Sequence, residues 1–148
     1  MIKMPDYETL DAIADSYIPV LAIWVLGYCI VTLANKRWAS LKLQGGSLVL
    51  GLAVAYGLMI LDNYLGIWPS VGLDYSTHTA VSLVLVIHIV LFQVRAVGWF
   101  HTVIFCLYLG LMKYQQYHTF ADMFTTGPIV GGLYGLAYWR LKEFWKPD

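Results

Sequence analysis

Asp74-Tyr75-Ser76-Thr77-His78-Thr79-Ala80-Val81-Ser82-Leu83-Val84-Leu85-Val86-Ile87-His88-Ile89-Val90-Leu91-Phe92-Gln93-Val94 is the stretch on which the fold turns. From Thr77 to Val94 it carries no Asp, Glu, Lys or Arg. A helix that crosses a bilayer needs about 20 apolar residues, because 1.5 Å of rise per residue must cover roughly 30 Å. The run is therefore read as a spanning helix with a polar string at its head. Four more runs of this kind lie around it: Tyr17 to Asn35, Ser47 to Leu65, Trp99 to Tyr117 and Ala121 to Trp139. The expected fold is an all-α integral membrane protein, one compact bundle of about five transmembrane helices over residues 1–148.

Composition agrees. Of 148 residues, 59% are hydrophobic and 12% charged, against about 25% charged in soluble domains. Formal net charge is zero without a basic run, which argues against nucleic acid as a partner. Cys29 and Cys106 lie in apolar runs and read as small buried hydrophobes. No CxxC or HExxH spacing suggests zinc, and no cofactor is expected. Asp6, Glu8, Asp11 and Asp15 outnumber Lys3 at the start, the reverse of a signal peptide. Residues 1–16 are expected to form a short acidic, interfacial helix.

Short connections force the spans to alternate. Lys36, Arg37, Lys42, Arg95, Arg140, Lys142 and Lys146 then fall on one side, Lys3 and Lys113 on the other. Lys and Arg collect on the cytoplasmic side, so the N-terminus is expected outside and the C-terminus inside. In a bacterium the outer side is the periplasm and the membrane the inner one. The outer connection from Gly66 to Tyr75, with Trp68, Pro69 and Gly72, reads as a lid or interfacial segment, its Trp68 and Tyr75 at head-group depth. Trp24, Trp38, Trp99, Trp139 and Trp145 read as an aromatic belt. Gly51 with Ala55, and Gly127 with Gly131 and Gly135, are spaced for close helix packing. Pro128 is expected to bend the fifth span.

Two strings with chemical potential open the third and fifth spans on this outer face. One holds Asp74, Ser76, Thr77 and His78; the other runs Tyr117-His118-Thr119-Phe120-Ala121-Asp122. His118 and Asp122, four apart on an opening helical turn, share a face. A carboxylate on one imidazole nitrogen raises the basicity of the other. His78 at the same depth can protonate a leaving oxygen. Asp74 is a candidate cap for the third helix. His88 lies about 15 Å deeper than His78 by helical rise and reads as a hydrogen-bonded bundle residue. His101 reads as an anchor at the inner surface.

The constellation resembles the type 2 phosphatidic acid phosphatase superfamily, including its sphingomyelin-synthase-like branch. That family opens one helix with Ser-Gly-His and a later one with His, three residues and Asp. The matching residues here are Ser76-Thr77-His78 and His118 to Asp122, and the resemblance covers roughly Asp74 to Gly132. It implies His118 as a nucleophile forming a phosphohistidine, Asp122 as its orienting carboxylate, His78 as general acid and Ser76 as a phosphate ligand, with Thr77, Lys113 and Asp74 beside the substrate. The chain departs from the family in three places. The first basic string is absent, with Asp62 and Asn63 at the outer end of the second span. The Ser-Arg pair before the nucleophile reads Leu111-Met112, leaving Lys113 as the nearest cation. Thr77 stands where the family has glycine.

The expected function is a membrane phosphatase or phosphotransferase acting on a lipid-linked phosphate. Two alternatives stand beside it. One is a small b-type haem protein ligated by His78 and His118. The other is a non-catalytic assembly subunit with a degenerate site. Membrane lipids are expected partners; homo-oligomer and larger complex are both left open.

Overall fold

The computed structural model describes residues 7–145, so Lys3, Asp6 and Lys146 lie outside the described residues. The described chain is helical throughout: α1 Tyr7–Ala34, α2 Trp38–Leu65, a 3-10 turn Pro69–Val71, α3 Thr77–Phe92, α4 Arg95–Tyr114 and α5 Phe120–Phe144. Three of these helices, α1, α2 and α4, are long and apolar enough to cross a membrane. The expectation of about five spans is thus met in part, by three of the helices. α3 is apolar but has 16 residues, and at about 1.5 Å each it reaches about 24 Å, short of the roughly 30 Å hydrocarbon core. α5 is long enough at 25 residues but carries Asp122, Arg140, Lys142 and Glu143.

The shortness of α3 goes with its place. It packs against all four other helices and buries Ala80, Val81, Val84, Leu85, Val86 and Ile89. A helix apolar on every face is one surrounded by others. The outer helices instead display apolar side chains outward: Ile23 is 70% exposed, Val49 67% and Leu107 65%. So broad an apolar coat is unusual on a soluble monomer and is compatible with a membrane location.

Gly51 sets the closest crossing. A Cβ there would lie 2.7 Å from Val84 Cγ1 and 3.0 Å from Tyr134 Cε2, so α2 meets α3 and α5 only without a side chain. In the other small-residue series, Gly131 is in ordinary contact distance of Leu83 and Ile87, while Gly135 faces open space.

Three further expectations change. The acidic N-terminal segment, from Tyr7 onward, is not a separate interfacial helix but the first turns of α1. Cys106 is exposed on α4 rather than buried, while Cys29 is half-buried. The connection after α2 is no lid at its core. Asp62 accepts from the Trp68 amide at 2.8 Å, Trp68 Nε1 donates to Thr125 Oγ1 at 3.1 Å, and the Tyr75 hydroxyl donates to the Ala55 carbonyl at 2.7 Å. Trp68 and Tyr75, 5% and 6% exposed, meet edge to face at 5.0 Å. Rings expected at head-group depth are packed inside, because both polar tips find protein partners.

Contacts sort the bundle into two ends. Tyr117 reaches Asp11 of α1, and the Asp74 amide reaches Asp122, so the start of α1, the α2–α3 connection and the α4–α5 turn gather at one end. At the other end Trp24 and Tyr28 of α1 bond Gln93 and the Phe92 carbonyl after α3. Gly46 near the start of α2 lies against Trp145 at the end of α5.

Candidate active site

The α5 end of the site is built by a capping box. Thr119 is the N-cap of α5; its hydroxyl accepts from the Asp122 amide at 3.2 Å, and its own amide donates to Asp122 Oδ2 at 2.7 Å. The reciprocal pair satisfies amides that a helix start leaves free. The Thr119 hydroxyl also donates to Asp122 Oδ2 at 2.8 Å, and the Asp74 amide donates to Asp122 Oδ1 at 2.9 Å. Asp122, 5% exposed, thus clamps the two strings together through backbone.

His118 precedes the cap and is not on the first helical turn as the sequence suggested. Its Nδ1 points between two carboxylates, 3.6 Å from Asp74 Oδ2 and 4.0 Å from Asp122 Oδ2. Both distances are just beyond hydrogen-bond reach, and this buried nitrogen has no other partner. Burial lowers the His118 pKa below the usual imidazole range; Asp74 and Asp122 pull it up, and His78 adds to the lowering. At neutral pH the ring is neutral, with one nitrogen lone pair available.

The opening of α3 is capped by Ser76, not by Asp74. The buried Ser76 hydroxyl accepts from the Thr79 amide at 3.3 Å and lies 2.8 Å from Thr79 Oγ1. The Ser76 amide donates to Thr126 Oγ1 at 3.2 Å, so Ser76 faces the bundle rather than a ligand. Thr77 is half-buried, and His78 is exposed on the first turn.

His78 and His118 reach the same end but line different clefts. His118 shares a cleft of about 370 Å³ with Asp74, Lys113, Gln116, Tyr117 and Asp122. His78 lines a smaller one of about 40 Å³ with Asp15, Tyr108 and Tyr117. The Tyr117 ring stands in both walls and stacks on His78 at 6.5 Å between centroids. The Tyr117 hydroxyl donates to the Asp11 carboxylate, which, with burial, pushes its pKa up. Lys113 is exposed in the last turn of α4 and pairs with no acid among the described residues.

Asp62 stays outside the site, with its carboxylate on the Trp68 amide. His88, 1% exposed, lies 3.4 Å from the Tyr134 hydroxyl and 3.5 Å from Ser47 Oγ. His101 is not a surface anchor: it is 6% exposed, its ring 5.1 Å from that of Trp24.

Thr119 and Asp11 were not picked out from sequence. Thr119 had a signal, the three-residue spacing to Asp122 that a capping box requires. Asp11 had none, because it lies 106 positions from Tyr117. No family model, curated protein or solved structure matches the chain.

Proposed function

We propose that this chain is a membrane phosphatase or phosphotransferase that takes a lipid-linked phosphate at the His118 end of the bundle. The observation that carries the reading is the seating of His118. Its Nδ1 lies between Asp74 and Asp122, in a cleft that also holds Lys113. With Nδ1 turned to the carboxylates, Nε2 is the nitrogen left to attack phosphorus. As the P–N bond forms, the bond to the leaving oxygen breaks; that oxygen takes its electron pair and a proton from His78. Water or an alcohol then attacks phosphorus and gives its proton to His78, and the P–N electron pair returns to His118. Asp74 and Asp122 balance the charge that grows on the His118 ring, and Lys113 that on the phosphoryl oxygens. For His78 to reach that oxygen as the bond breaks, the Tyr117 ring that lines both clefts must swing aside.

The same reading places five helices across the membrane with this end outward. Its support is the partition of charge. Among the described residues, Glu8, Asp11, Asp15, Asp62, Asp74 and Asp122 lie at the His118 end with Lys113, while Lys36, Arg37, Lys42, Arg95, Arg140 and Lys142 lie at the other with Glu143, and Lys and Arg favour the cytoplasmic side.

The test is phosphate release from phosphatidic acid in mixed micelles by the purified chain. His118→Ala is expected to abolish release, and His78→Ala to lower it by about 10²–10⁴, the worth of a positioned general acid. Release that survives both substitutions overturns the mechanism. One observation favours a second, non-catalytic reading: Asp122 is engaged by three hydrogen-bond donors that build the helix start. A folded chain that releases phosphate from no lipid phosphate would favour it.

A further inference from the structure

We infer that the cleft between α3 and α4, at the end opposite His118, holds an anionic phospholipid by its phosphodiester. The cleft encloses about 430 Å³ and is lined by Val90, Gln93, Arg95, Gly98, Trp99 and Thr102. That volume is in the range of small-ligand pockets, roughly 300–1,000 Å³. Its walls are largely apolar, with Val90 49% and Trp99 65% exposed. Arg95 is the charged group on it, and its guanidinium has no acid or hydrogen-bond partner among the described residues. A planar guanidinium matches a phosphodiester with two parallel N–H bonds. An amphiphile satisfies both halves of such a cleft, the phosphate on Arg95 and an acyl chain along Val90 and Trp99.

The cleft is held in shape before any ligand arrives. Trp24 Nε1 donates to Gln93 Oε1 at 3.0 Å, and the Tyr28 hydroxyl donates to the Phe92 carbonyl at 2.7 Å, so α1 straps the end of α3. A Cβ on Gly98 would lie 3.3 Å from Val90 Cα, so the bare glycine lets α4 approach α3 here. A preformed site gives up little freedom on binding. The surrounding charge has the matching sign: Lys36, Arg37, Lys42, Arg140 and Lys142 share this end with Arg95, and basic pockets between membrane helices select anionic head groups. The broader groove beside Arg140 carries Glu143 on its wall and lacks that match.

The inference rests on the membrane reading above, but not on the histidine chemistry. The purified full chain, in a neutral detergent, is incubated with equal phosphatidylglycerol and phosphatidylcholine, and retained lipid is counted by native mass spectrometry. One phosphatidylglycerol per chain is expected, preferred about fivefold, the worth of one basic side chain beside a head group of net negative charge; the phosphodiester is common to both lipids, and the cationic choline is what Arg95 disfavours. Arg95→Gln should remove the preference and Arg95→Lys keep part of it. Equal retention of the two lipids by the native chain, or an unchanged preference in Arg95→Gln, overturns the inference. A chain that stays dispersed without detergent overturns the membrane reading instead, so the two failures are distinguishable.

Discussion

Asp74 and Asp122 flank one imidazole nitrogen, yet their surroundings divide their work. Asp122 is buried and holds backbone amides; the Asp74 side chain is 72% exposed and stands nearer His118. Asp122→Asn should therefore weaken folding as well as activity, by about 0.5–2 kcal/mol for a lost cap, read by thermal denaturation in detergent. Asp74→Asn should lower activity and leave the melting temperature unchanged. It should also move a pH limb. Burial holds the His118 pKa down while Asp74 opposes it, so removing Asp74 lets the value fall further. The acid limb of the native pH–rate profile should lie below the ordinary imidazole value of about 6.5, and Asp74→Asn should shift it lower. The stability linkage has a definite sign. A depressed folded pKa gives stability that is present above about 6.5 and lost as pH falls through the folded value. A limb above that value, or a shift upward in Asp74→Asn, would contradict the assignment.

At the scale of elements, the tightest constraint is the contact of α2 with α3 and α5 at Gly51. Gly51→Ala should cost about 1–3 kcal/mol through overpacking, since its Cβ would press on Val84 and the Tyr134 ring. Val84→Ala in the same chain should recover part of that loss, because the two changes share one space. Additive losses in the double variant would show that the helices do not cross there. The loop after α2 gives a second case. Trp68→Ala removes a buried ring bonded to Thr125 of α5 and should cost about 3–5 kcal/mol. A lid would tolerate that change with an unaltered melting temperature.

At the scale of the molecule, helical class and the meeting of the two strings were legible in sequence. Apolar run length announces a helix, and short connections leave few ways to arrange five of them. Helix edges were less legible. Gln116, in the left-handed region at φ 62°, ends the turn after α4, so that helix stops at Tyr114 rather than Tyr117. The inward packing of Trp68 and Tyr75 depended on partners in α5 and α2 that hydropathy does not reveal. The same holds for Tyr117, whose wall between the histidines is held by Asp11 of α1. Spacing placed His78 and His118 at one end, but only packing decides that Tyr117 stands between their clefts.

The claim on which the rest depends is that His118 carries the phosphoryl group. Purified chain is mixed with radiolabelled phosphatidic acid, quenched in alkali, digested and mapped by mass spectrometry. The account predicts an alkali-stable, acid-labile phosphoryl group on the peptide holding His118, absent from His118→Ala. Phosphate release by the native chain with no label on His118, or release undiminished in His118→Ala, would contradict it.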